Sequence, residues 1–184
     1  MIKKVIVIFI FILFIKPTQA KENTMILKLK DGNVIIELFS DVAPNHVKRF
    51  KQLTNEKKYD GVVFHRVIDG FMAQTGDIEF GNSNLESYDI QRAGTGGSKY
   101  PDLKAEFSNI PHDRGTLSMA RSSDPNSSNS QFFICFKPVP HLDRQYTVFG
   151  KVIKGMEFVD LIKRGESSNG EVENPDKIIS LIAN

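Results

Sequence analysis

Phe64-His65-Arg66-Val67-Ile68-Asp69-Gly70-Phe71-Met72-Ala73-Gln74-Thr75-Gly76-Asp77 is the stretch whose reading decides the fold. β-Branched and aromatic residues crowd both sides of Asp69-Gly70, a dipeptide suited to a tight turn because glycine adopts positive φ without steric cost. Residues 62–68 and 71–75 therefore read as two neighbouring strands. The same pattern repeats on either side. Residues 25–30 alternate apolar and polar, Asp31-Gly32 turns the chain, and residues 34–39 return. Further short runs cover 116–120, 131–136, 146–153 and 177–182. About eight strands is a number at which an antiparallel sheet closes and fills its own interior.

Two helices interrupt the strands. Asp41 and Pro44 mark the start of one, with Val47, Phe50 and Leu53 recurring on a single face. The second is predicted over about residues 156–164, with Met156, Val159 and Ile162 facing one way and Gly165 ending it. Two helices cannot cover both faces of an open sheet, but they can plug the ends of a barrel. The expected fold is mainly β: a closed eight-stranded antiparallel barrel capped by two α-helices. Residues 76–115 form a long loop rich in Gly, Asn, Ser, Asp and Pro around Gly94-Thr95-Gly96-Gly97. Loops of that length in compact domains are usually functional or disordered. A second polar loop, 122–130, lies between two strands, and no repeat or low-complexity tract is present.

The chain has 184 residues, 40% apolar and 25% charged, which suits one soluble domain. Its 14 phenylalanines, against 4 tyrosines and no tryptophan, suit a packed core or an apolar pocket. Residues 1–20 are set aside as an export signal. Lys3 and Lys4 precede an apolar run over 5–15, Lys16 and Pro17 break it, and Thr18-Gln19-Ala20 offers a cleavage site. That run is well short of the roughly 20 residues that span a bilayer, so no stable membrane span is expected after cleavage. Residues 21–184 form the working domain. Without the signal's three lysines the formal charge moves from +2 to −1, which gives no electrostatic reason to expect nucleic acid as a partner. Cys135 lies in an apolar strand and reads as a small buried hydrophobe rather than a reactive thiol.

Several chemistries are excluded by pattern. His46, His65, His112 and His141 lack zinc-site spacing. The glycine run lacks the third glycine of a dinucleotide site and a preceding βα unit. No Gly-x-Ser-x-Gly elbow is present. No metal and no cofactor are expected.

Three separated segments carry the functional reading. One is the stretch quoted above. Another is Leu117-Ser118-Met119-Ala120-Arg121, followed by Ser130-Gln131-Phe132-Phe133-Ile134. The third is His141-Leu142-Asp143, leading to Tyr146-Thr147-Val148-Phe149-Gly150. In this order, with the Gly-Thr-Gly-Gly run between them, they resemble the signature of cyclophilin-type peptidyl-prolyl isomerases over residues 25–182. The resemblance implies Arg66 as the catalytic residue and Phe71, Met72, Phe133 and Leu142 as the proline pocket. It places Gln74 and Gln131 against the peptide backbone, with Gly94, Ala120 and Arg121 along the groove, and counts His141 and Tyr146 among the substrate-binding residues. It implies Pro-containing peptides and unfolded or exported proteins as partners.

The residue types fit that chemistry. Rotation about a peptide bond must break its resonance, at a barrier of roughly 18–20 kcal/mol. The planar proline nitrogen has no free lone pair, and it becomes a hydrogen-bond acceptor only once twisted. A guanidinium aimed there binds the transition state better than the substrate. Arginine suits the task because its fork stays charged and directional. Other readings remain open at this stage. Phe71, Met72 and Phe133 can be barrel core. His65 reads as a packing residue, and the Arg121 backbone matters more than its side chain.

Two positions depart from the family. His141 stands where Trp is frequent, and Tyr146 where His is frequent. The resemblance implies that this Trp supports cyclosporin binding, so weak inhibition by that drug is expected. A periplasmic location is expected, with secretion or tethering by an uncleaved signal as alternatives, and the chain is expected to be a monomer. Competing functions are a non-catalytic binder of Pro-containing segments and a secreted effector acting on a host partner.

Overall fold

The structure, a computed structural model, describes residues 23–183. The export signal inferred for residues 1–20 lies outside them. Eight strands form one sheet: β1 (Thr24–Lys28), β2 (Asn33–Leu38), β3 (Arg66–Ile68), β4 (Met72–Thr75), β5 (Thr116–Met119), β6 (Phe132–Cys135), β7 (Val148–Lys154) and β8 (Ser180–Ala183). Every ladder is antiparallel, and the spatial order is β3-β4-β6-β5-β7-β2-β1-β8.

The sheet curls, but its end strands β3 and β8 share no ladder, so closure is looser than expected. Isolated bridges join Val63 to Lys177 and Arg66 to Glu171. Single backbone bonds add to them: Phe64 N to Asp176 O and Ile178 N to Val62 O, both 2.8 Å. The cause lies in the returning segment. Pro175 has no N–H to donate, and Asn174 sits at φ 48, outside extended backbone. Two expected strands are accordingly shorter: 62–68 contracts to β3, and 177–182 gives way to β8.

Helix α1 (Pro44–Asn55) buries Val47, Phe50 and Leu53, as the spacing predicts. No side chain of its own caps it. Instead the Glu106 carboxylate accepts the N–H groups of Asn45 and His46 at 3.2 and 3.1 Å, at the positive end of the helix dipole. Helix α2 spans only Met156–Val159 and does not reach Arg164. After Val159 the amides of Leu161 and Ile162 bond three residues back, to Phe158 and Val159, which tightens the chain out of the α-helix. A short 3-10 turn, Pro140–Leu142, was not anticipated.

Alternation along the strands separates two apolar clusters. Val67, Ala73, Leu117, Met119, Phe132, Ile134 and Phe149 belong to the interior with α1. There Phe50 lies 5.1–5.3 Å from the rings of Tyr59, Phe132 and Phe149. Met72, Phe133, Cys135, Val139 and Leu142 form a second cluster on the opposite face, packed against Phe71 and Tyr146.

Candidate active site

The site is built on β3, β4 and β6. Ladder register sets Arg66 opposite Gln74 and Gln74 opposite Phe133. Period-two alternation sends all three, with Met72, to the face away from the barrel interior. The turn between β3 and β4 closes through Phe71 N to Ile68 O at 3.0 Å, with Gly70 at φ 61. This turn brings Phe71 beside Met72 at the edge of the same face.

These side chains enclose a hollow of about 190 Å³. Phe71, Met72, Phe133, Leu142 and Tyr146 make its apolar wall, while Arg66, Gln74, Ala120 and Arg121 make its polar rim. The reading of Phe71, Met72 and Phe133 as barrel core is therefore set aside: Met72 and Phe133 are buried in the outer cluster, and Phe71 packs half-buried against it. Phe133 is held from two sides, with Tyr146 edge-on at 5.9 Å and the His112 ring stacked at 6.2 Å. Arg121 lies 4.4 Å over the Tyr146 ring and donates to the Gln145 carbonyl, so its side chain props the wall.

Arg66 is half-buried and enters no ion pair among the described residues. Its Nε donates to the Asn169 carbonyl at 2.8 Å and its Nη1 to Gln74 Oε1 at 3.3 Å. Gln74 Nε2 donates to Gln131 Oε1 at 3.0 Å, and Gln131 Nε2 to the Gly96 carbonyl at 2.8 Å. This chain orients the guanidinium and leaves its charge uncompensated.

Beyond Gln74 and Ala120 a second hollow of about 530 Å³ continues the groove. Gly94 and Gln131 line it rather than the apolar hollow. His141 lines neither, being exposed with its ring 5.8 Å from that of Phe71. The glycine run is pinned by Asp77, whose buried carboxylate accepts the amides of Gly94 and Gly96 at 2.7 and 2.8 Å.

A family model described as cyclophilin type peptidyl-prolyl cis-trans isomerase matches residues 24–182. The chain belongs to this family. It is 62% identical over 159 residues to a Brucella suis protein named probable peptidyl-prolyl cis-trans isomerase, covering 86% of this chain and 81% of that one. A Helicobacter pylori peptidyl-prolyl cis-trans isomerase is 38% identical over 160 residues, covering 85% and 90%. Among solved structures, a cyclophilin of Hirschia baltica superposes with TM-score 0.74 at 26% identity, covering 89% of this chain and 74% of that one. A Cryptosporidium parvum cyclophilin, crystallised in the presence of the dipeptide Ala-Pro, gives 0.73 at 27%, covering 88% and 98%.

Within this cyclophilin, three supports of the site escaped the sequence reading. Asn169 reaches Arg66 through a main-chain oxygen, which no side-chain pattern announces. Asp77 ends the quoted stretch and looks like a loop acid until its four amide partners are counted. His112 links the Asp143 carboxylate (Nδ1 to Oδ1, 2.9 Å) to Ser118 Oγ (Nε2, 3.0 Å) behind Phe133. Burial pushes the His112 pKa below its ordinary value, and the hydrogen bonds from His112 hold Asp143 below the usual carboxylate range. The Cys135 thiol, buried behind the wall, is pushed up to about 12, as expected of an inert structural cysteine. Among the described residues no helix is long and apolar enough to cross a membrane.

Proposed function

We propose that this isomerase turns Xaa-Pro bonds with Arg66 as its catalytic residue, the proline ring resting against Phe71, Met72, Phe133 and Leu142. The observation that carries this is the uncompensated guanidinium on the rim of an apolar hollow. In the planar substrate Arg66 has nothing to bond at the imide nitrogen. As the bond twists, the nitrogen pyramidalises and its lone pair accepts Nη–H. A charge-assisted hydrogen bond of about 1.5–3 kcal/mol supplies roughly one to two powers of ten in rate. The remainder comes from holding the ring and the preceding carbonyl in the twisted geometry. Gln74 and Gln131 offer amide groups to the peptide backbone, and Gly94, Ala120 and Arg121 extend the groove along it. Rotation transfers no proton and no electron.

The Ala-Pro dipeptide named with the Cryptosporidium parvum neighbour supports Pro-containing peptides as the ligand class. The charge and hydropathy order of residues 1–20 supports export, which makes exported polypeptides in the periplasm the natural clients. The deciding experiment follows cis-to-trans conversion of a prolyl peptide with and without Arg66→Ala in residues 21–184. A fall in kcat/KM of roughly ten- to a hundredfold is expected, and unchanged turnover defeats the assignment.

A further inference from the structure

β3 is an end strand of the sheet, and its outer edge is covered by a short loop instead of a further strand. The loop takes both main-chain groups of Val67. Gly165 N donates to the Val67 carbonyl at 2.9 Å, and Val67 N donates to the Gly170 carbonyl at 2.7 Å. Residues 165–170 are thus pinched at the neighbour of Arg66. An ion pair from Arg164 Nε to Asp69 Oδ1 at 3.2 Å ties the start of the loop to the β3–β4 turn. An isolated β-bridge pairs Glu171 with Arg66 at its end.

Inside the pinch, Gly170 N donates to the Ser167 carbonyl at 2.9 Å and closes a tight turn, while Glu171 N donates to Ser167 Oγ at 3.2 Å. The turn leaves the Asn169 carbonyl unused, and this oxygen accepts Arg66 Nε–H at 2.8 Å. Two glycines make the geometry possible. Gly170 is buried at φ 79, where a Cβ would collide with Ile68 Cγ1 and stand 3.1 Å from the Val67 carbonyl carbon. A Cβ on Gly165 would collide with the Gly170 main chain. Only glycine combines that positive φ with so close an approach of the two loop ends.

The Asn169 bond is the shorter of the two that hold the fork, since Nη1 reaches Gln74 at 3.3 Å. Together they fix the plane of the guanidinium, and Nη2 keeps no hydrogen-bond partner among the described residues. A main-chain carbonyl does this without the charge of a carboxylate, which would occupy the fork. We propose that Gly170, with Gly165 against it, is a positioning residue for the isomerisation: it sets the carbonyl that aims Arg66 at the proline nitrogen. The inference rests on Arg66 being the catalytic residue and deepens that reading.

The test places Gly170→Ala in residues 21–184, alone and together with Arg66→Ala, and follows prolyl-peptide turnover. With Arg66 present, kcat is expected to fall roughly tenfold at unchanged KM, because a misaimed group weakens only the twisted state. With Arg66→Ala, the second change is expected to add nothing, since no guanidinium remains to be aimed. An equal fall in both backgrounds, a raised KM in place of a lowered kcat, or an unchanged kcat overturns the proposal while leaving Arg66 its role. A further readout needs no variant. In the wild type the Arg66 Nε–H is expected to exchange with water roughly tenfold more slowly than that of the exposed Arg144, the scale of one charge-assisted bond. Equal exchange, read by NMR, overturns the proposal even where Gly170→Ala does not fold. Full turnover by Arg66→Ala defeats the catalytic assignment and this inference with it.

Discussion

Arg66 and Gln74 face each other across the β3–β4 ladder, and the guanidinium donates to the glutamine carbonyl at 3.3 Å. The amide orients the charge without cancelling it. A carboxylate in its place would form a bidentate pair and occupy the fork that the twisted nitrogen needs.

Gln74→Glu is therefore expected to lower kcat/KM roughly ten- to a hundredfold, close to the loss from Arg66→Ala, since the pair it creates is worth about the same as the bond it removes. Gln74→Leu, which only frees the guanidinium, is expected to cost less. Prolyl-peptide kinetics on the two variants checks this, and a Glu variant as active as the Leu variant would contradict it.

Phe132 and Phe133 are adjacent on β6 yet serve opposite faces. Phe132 is wholly buried against Phe50 and Tyr59, so Phe132→Ala is expected to cost about 3–5 kcal/mol of stability. Phe133, held between Tyr146 and His112, still presents an edge to the hollow. Phe133→Ala is expected to cost less stability and much more turnover. Urea midpoints and kcat/KM on both variants separate the effects, and a Phe133 variant with normal turnover would remove the ring from the site.

That pair also shows what the sequence makes legible. Period-two alternation distinguishes the two faces, and the Asp69-Gly70 turn fixes which residues of β3 and β4 meet. Even so, Arg66, Phe71, Met72, Gln74, Phe133, Leu142 and Tyr146 were grouped as one site only through the family resemblance, since the residues themselves left Phe71, Met72 and Phe133 open to a core reading. The barrel's seam was not, because 60–67 and 170–178 touch through single bonds around Pro175 instead of a patterned ladder. Asn169 was invisible for a different reason. It lies 103 residues from Arg66 and acts through its main chain. His112 and Asp143, 31 residues apart, carry no local spacing that marks them as partners.

Asp77 accepts four main-chain amides, those of Glu79, Phe80, Gly94 and Gly96. An asparagine has one acceptor oxygen and would point N–H donors at N–H donors. Asp77→Asn is expected to cost about 3 kcal/mol, the scale of one or two charge-assisted bonds, and to speed amide exchange at Gly94 and Gly96. Urea unfolding with hydrogen exchange measures both, and unaltered exchange there would show that the glycine run is held by something else.

His65 makes the fold acid-sensitive. Its pKa falls from 6.5 to about 4 on folding, chiefly through burial. Below pH 6.5 the unfolded chain gains a proton that the folded ring refuses, so the stability His65 contributes is complete above that pH. It is lost as the pH drops towards about 4, and the difference amounts to about 3 kcal/mol. Burial shifts His46 and His112 in the same direction, each opposed by its carboxylate, Glu106 or Asp143. Urea unfolding at neutral pH and near pH 4 should show this loss in the wild type. In His65→Phe the loss should shrink by about the 3 kcal/mol that one such proton carries. An equal loss in both proteins would mean that the ring takes up its proton in the folded state.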